Sequence, residues 1–221
     1  MMNTEQEIAF WETVDIFNKQ GLLPYIMLIG SWAEYIYMDY FKTGYESGMK
    51  TRDLDFLYRN IRRPENKISI ITELSKNGFI YSEDVLTGVG KFYKEGLLEV
   101  EFLARAIGKG SSTIKIPSIG ITAESLRTVN MLADFPLEMK YRNYIVTVPE
   151  PAAYVLQKLY TNPTRRADKR EKDIRAIKLL LPHIKSSKYD NSRLILIFNS
   201  LHKNHQKIIT ATCESNFIEL F

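Results

Sequence analysis

Asp53 and Asp55 stand two apart in the run Thr51-Arg52-Asp53-Leu54-Asp55-Phe56-Leu57, with apolar residues between and after them. In a β-strand alternate side chains share a face, so both carboxylates would project from one side of a sheet, about 6–7 Å apart. Like charges at that spacing repel, and a cation between them relieves the repulsion. Mg²⁺ suits such a pair, because it takes carboxylate oxygens and keeps positions for water and phosphate. By itself Asp-x-Asp is also the pattern of a solvated strand face. A second run, Glu99-Val100-Glu101-Phe102-Leu103, alternates strictly. Val100 and Phe102 would face a core, leaving Glu99 and Glu101 on the other side. Paired beside the first strand, one of these glutamates would complete a cluster of three carboxylates, and spacing alone does not choose between them. Gly30-Ser31 ends an apolar run over 22–29 and opens a helix-like segment. Glycine permits close backbone approach, while serine can cap the helix and leave amides facing a phosphate.

The elements that must position these groups follow from periodicity. Apolar residues at Ile8, Ala9, Trp11, Val14, Ile16 and Phe17 predict an amphipathic helix over 5–19. A strand is expected over 25–29 and an aromatic-rich helix over 31–41, its rings packed in the core rather than exposed for stacking. The basic loop 59–66 leads to a helix over 67–77 capped by Gly78, then short strands near 79–81 and 91–93 before the Glu99–Glu101 strand. Gly108-Lys109-Gly110-Ser111-Ser112 lacks P-loop spacing and reads as a hairpin or mobile loop. Thr122 would cap a helix over 123–131, and 144–149 reads as a strand. Beyond Pro149-Glu150-Pro151 the alternation gives way to helices. These are expected over 151–161, over 165–181 ending at Pro182, over 189–204, and in the tail. The fold class is therefore α+β, a mixed sheet flanked by helices, divided into 1–148 and a C-terminal helical region 149–221.

Composition narrows the classes. The chain has 221 residues, a net charge of +4 and one cysteine, Cys213, which excludes an intrachain disulfide and a thiolate metal cluster. His183, His202 and His205 do not form a zinc pattern. No apolar run reaches the length of a membrane span and the N-terminus lacks secretory character, so a cytoplasmic location is expected, with no membrane partner. Between 165 and 178 the cations Arg165, Arg166, Lys169, Arg170, Lys172, Arg175 and Lys178 outnumber Asp168, Glu171 and Asp173. Such a segment meets polyanions or forms a wet helix face.

Taken in order along the chain, Gly30-Ser31, Asp53-Leu54-Asp55-Phe56, Glu99-Val100-Glu101-Phe102-Leu103 and Lys158-Leu159 followed by Arg165, Arg166, Lys172 and Asp173 resemble the nucleotidyltransferases that share the DNA polymerase beta palm. The likeness is greatest to minimal bacterial members, the toxin-type enzymes of abortive-infection and toxin–antitoxin systems. It spans roughly 25–177. It implies two Mg²⁺ ions held by Asp53, Asp55 and Glu101, with Glu99 as runner-up to Glu101. It also implies a nucleoside triphosphate such as ATP, its site formed by Gly30, Ser31, Lys50, Lys158, Arg166, Lys172 and Asp173; read by itself, Asp173 either orients Lys158 or Lys169 or is a simple partner in the charge ladder of its helix. The acceptor stays open among a tRNA 3′ end, a protein hydroxyl and a small polyol or aminoglycoside, with the basic segment favouring RNA or protein. A cognate antitoxin is a further implied partner. The competing classes are a non-catalytic nucleotide- or RNA-binding protein on the same scaffold, and an RNA-binding module with purely basic contacts.

Overall fold

The computed structural model describes residues 4–42, 44–48, 51–59, 67–106, 112–141 and 143–221. The expected positions Lys50, 60–66 and 108–111 lie outside them. Helix α1 (Thr4–Lys19) is followed by a 3₁₀ turn, strand β1 (Ile26–Ile29) and helix α2 (Ser31–Phe41). Strand β2 (Asp53–Tyr58), helix α3 (Ile70–Lys76), and strands β3 (Ile80–Glu83), β4 (Gly90–Lys94) and β5 (Leu98–Arg105) come next. Strands β6 (Thr113–Ile116) and β7 (Ile121–Leu126), helix α4 (Asn130–Asp134) and the hairpin β8 (Pro136–Tyr141) and β9 (Tyr144–Pro149) complete the mixed part. Helices α5 (Pro151–Thr161), α6 (Ala167–Ser186), α7 (Lys188–Ser200) and α8 (Lys203–Ser215) form the C-terminal part.

The main sheet runs β1-β2-β5-β4-β3, with β7 beside the end of β5 and β6 beyond it, while β8 and β9 pair by themselves. Strands β2 and β5 are parallel neighbours, in the register Asp53 to Glu99 and Asp55 to Glu101. Their two faces bury different things. Leu54, Phe56, Val100 and Phe102 enter the large core with Phe10, Phe17 and Trp32. Leu57 and Leu103, on the carboxylate face, join Met27, Ile29, Val129 and Leu132 in a small second cluster. The period-2 alternation thus sorts carboxylates from core residues as expected. In α2, Trp32, Tyr35 and Tyr37 are buried, and Tyr37 donates a hydrogen bond to the carbonyl of Pro149 at 2.7 Å. The large core continues past Pro149 through Ala152, Val155, Leu159, Ile177 and Ile209, so the C-terminal helices pack on it directly.

Several expectations about elements are corrected. The segment 123–131, expected to be a helix, is strand β7 up to Leu126 and then a turn into α4. Ile121, Ala123 and Ser125 are buried at alternate positions between β5 and β6, and this period of two overrides the capping signal at Thr122. Helix α6 does not stop at Pro182 but runs through it to Ser186. The missing proline N–H leaves the carbonyl of Lys178, an exposed residue, without its helical donor, while buried Leu181 and Ile184 hold the helix to the core. The expected helix over 189–204 is α7 and the start of α8. His202 caps α8 by accepting a hydrogen bond from the amide of Asn204.

Candidate active site

The turn from β1 into α2 sets the position of the first acid. Gly30 has φ 66 and ψ −159, a conformation open essentially to glycine alone. A Cβ at Gly30 would collide with Oδ2 of Asp55. The backbone and the carboxylate therefore pack against one another, and only glycine satisfies both the dihedrals and the contact. Ser31 is the first residue of α2, at the end of the helix where free amides and the dipole favour an anion.

Asp53 and Asp55 are both half-buried and line a cleft of about 360 Å³ together with Gly30, Ser31 and Thr51. The opposite wall comes from α5, α6 and the link between them: Lys158, Arg165, Lys169, Lys172, Asp173 and Arg175. Lys169 reaches across to Asp53, its Nζ 3.4 Å from Oδ2. Among the described residues no ion pair reaches Asp55. Burial, then the charges of Glu101 and Asp53, push the Asp55 carboxyl up to about 7. Such a carboxyl is short of positive charge.

Lys158 is buried and donates to Oδ1 of Asp173 at 2.7 Å, while Arg165 donates to Oδ2 of Asp173 at 2.9 Å. Asp173 thus holds two cations, Lys158 and Arg165, at the cleft wall. Glu34 also lines the cleft, buried and hydrogen-bonded by the hydroxyls of Tyr154 at 2.6 Å and Tyr45 at 3.5 Å. Burial raises the Glu34 pKa, partly countered by the nearby charge of Lys158.

Glu101 lies directly across from Asp55 on β5, with Glu99 across from Asp53. Neither lines the cleft. Both accept from Lys91 of β4: its Nζ is 3.0 Å from Glu99 and makes a close ion pair with Glu101. Burial opposes the Lys91 charge, but the hydrogen bonds to Glu101 and Glu99 outweigh it and hold its pKa above the usual lysine value. Burial raises the Glu101 pKa, against the pull of Lys91.

The other expected contacts divide. Lys172 lines the cleft, whereas the Arg166 side chain is 88% exposed, pairs with Asp168 and does not line it. Arg166 precedes α6 on its solvent side, and its neighbour Arg165 turns inward to Asp173 instead. Lys50 falls outside the described residues. Sequence reasoning missed Lys91, Glu34 and Tyr154 altogether. Only the alternation Lys91-Phe92-Tyr93 offered a signal, because a core-facing Phe92 puts Lys91 on the carboxylate face.

The donors fit Mg²⁺ at Asp53 and Asp55, since that ion is commonly held by one or two carboxylates plus substrate phosphates. Among the described residues no group of three His, Cys, Asp or Glu is arranged as a complete protein metal site.

A family profile described as "Nucleotidyltransferase" matches residues 12–191. The fold is similar to that of an antigenic nucleotidyltransferase-like protein from Paracoccidioides brasiliensis, with 13% identity, a TM-score of 0.52, and coverage of 95% of this chain and 94% of that one. A crystal structure of ANT(2″)-Ia in complex with adenylyl-2″-tobramycin matches at 13% identity and a TM-score of 0.49, covering 96% of this chain and 99% of that one. No curated protein matches the sequence.

Proposed function

We propose that this chain, which belongs to the nucleotidyltransferase family, moves a nucleoside monophosphate from a nucleoside triphosphate to a hydroxyl acceptor. The observation that carries this reading is the cleft in which Asp53, Asp55 and the Gly30-Ser31 turn face the cations of α5 and α6. Asp53 and Asp55 would hold Mg²⁺, which when bound neutralises them and polarises the phosphoryl group under attack. The amides at the start of α2 and the Ser31 hydroxyl would bind the outer phosphates. Lys158, Lys169, Lys172 and Arg165 would offset the charge of the departing pyrophosphate, with Asp173 keeping Lys158 and Arg165 aimed at it. Glu101, the third carboxylate that the resemblance implies, stands across from Asp55 with Glu99 beside it, and both are paired with Lys91.

The acceptor in this reading is a tRNA 3′ end or a protein hydroxyl. It is favoured over a small sugar because the basic face of α6 extends beyond the cleft, where Arg170, Arg175 and Lys178 line an adjoining groove. A cytoplasmic toxin restrained by a cognate antitoxin is the setting that the resemblance in sequence supports. Incubation with each α-labelled triphosphate and a cellular extract of RNA and protein tests the reading. Label is expected in RNA or protein with the native chain and in neither with Asp53→Asn or Asp55→Asn. An unchanged rate in either folded variant refutes it. A second reading, a nucleotide-binding protein without catalysis, is favoured by the engagement of Glu101 with Lys91. Calorimetry in Mg²⁺ that detected no binding of ATP, CTP, GTP or UTP would leave neither role.

A further inference from the structure

Resting on the metal-dependent reading above, we infer that Lys91 is a built-in cation that replaces one of two divalent ions, so that the site takes a single ion at Asp53 and Asp55. The register of three adjacent strands carries this. Asp55 on β2 opposes Glu101 on β5, and Glu101 opposes Lys91 on β4, so the three side chains lie in one row across the sheet. Phe92, the next residue on β4, is fully buried opposite Val100, which fixes Lys91 on the carboxylate face. Its ammonium bridges Oε1 of Glu99 and Oε1 of Glu101.

The ammonium takes Oε1 of both glutamates and sets a positive charge beside their remaining oxygens, so a second Mg²⁺ would meet occupied oxygens and a like charge together. Lys169 differs in kind. It meets Asp53 at 3.4 Å from a separate helix, with 44% of its side chain exposed, and can turn to a phosphate when an ion enters. Lys91 is anchored within a strand between two carboxylates and does not line the cleft. One positive charge on Glu101 then comes from the chain itself, and Asp53 and Asp55 retain the free oxygens for one ion.

The test titrates MnCl₂ into the native chain and into Lys91→Met, reading bound ion by electron paramagnetic resonance. One Mn²⁺ per chain is expected for the native protein, lost in the double variant Asp53→Asn/Asp55→Asn. Two are expected for Lys91→Met, with the spin–spin broadening of ions about 3.5–4 Å apart. One ion in both proteins overturns the role of Lys91 and leaves the proposed function standing, as do two ions in the native chain. An absent native ion, or one indifferent to the double variant, overturns the metal site on which both rest. Should circular dichroism show Lys91→Met unfolded, Lys91→Met/Glu99→Gln removes one of the carboxylates left without a cation and is titrated with the same expectations.

Discussion

Replacing Asp55 by asparagine should change stability in a manner set by pH. The Asp55 carboxyl is raised from an ordinary 3.8 to about 7 by burial and by the charges of Glu101 and Asp53. Between those values the unfolded chain has released the proton while the folded chain retains it. The unfolded state therefore binds fewer protons, and native stability falls as pH rises. The shift is about 3 units, and at about 1.36 kcal/mol per unit the native chain loses at most about 4 kcal/mol between pH 4 and pH 7, with a plateau above. The Asp55→Asn variant lacks this slope. Urea unfolding of both chains in EDTA, from pH 4 to pH 8.5, should show the variant gaining relative to the native chain up to pH 7 and no further. Added millimolar Mg²⁺ should narrow the gap at pH 8 by stabilising the native chain alone. A stability difference independent of pH would refute the claim that an unneutralised, half-buried carboxylate sits at this position.

Gly30→Ala should cost about 1–3 kcal/mol for the positive-φ backbone alone, and more through the collision with Asp55, with transfer activity lost; chemical denaturation and the labelling assay check both. Asp173→Ala leaves Lys158 buried without its acceptor and should destabilise by about 3–5 kcal/mol, measurable by urea unfolding. Arg165→Ala should weaken triphosphate binding in calorimetry, whereas Arg166→Ala, on the exposed side, should change stability by no more than about 0.5 kcal/mol and leave binding intact.

The face of the sheet that bears the carboxylates was legible in the sequence because strand parity is a local property. Leu54 and Phe56 on one strand and Val100 and Phe102 on the other declare which side is core, and the acids take what remains. The pairing of those strands agrees with the expectation, although they lie more than forty residues apart. What escaped was anything decided by a non-local contact. Whether Arg165 or Arg166 turns inward depends on how Asp173, early in α6, is held against Lys158 of α5, and adjacent arginines look alike in a sequence. The helix expected over 123–131 failed because the partners of β7 lie on β5 and β6, and a short alternating stretch with a capping residue fits either period. Pro182 misled because buried Leu181 and Ile184 hold the helix to the core on either side of it.

The same dependence on non-local partners explains why Asp55, among the carboxylates of this face, is the one whose proton affinity rises to near neutrality. Glu101 and Glu99 share the ammonium of Lys91, and Asp53 meets that of Lys169. Asp55 lies between these pairs, packed against the backbone of Gly30, which leaves no room for a side chain to reach it from that direction. The helices contribute charge to the cleft at longer range, through Arg165 and Lys169, and this lowers but does not cancel the effect of burial. In the metal-dependent reading a divalent ion would meet Asp55 from the cleft that it lines with Asp53. Moving a cation into contact with Asp55 by substitution should therefore lower its pKa and, in the metal-dependent reading, compete with the divalent ion for the same oxygens.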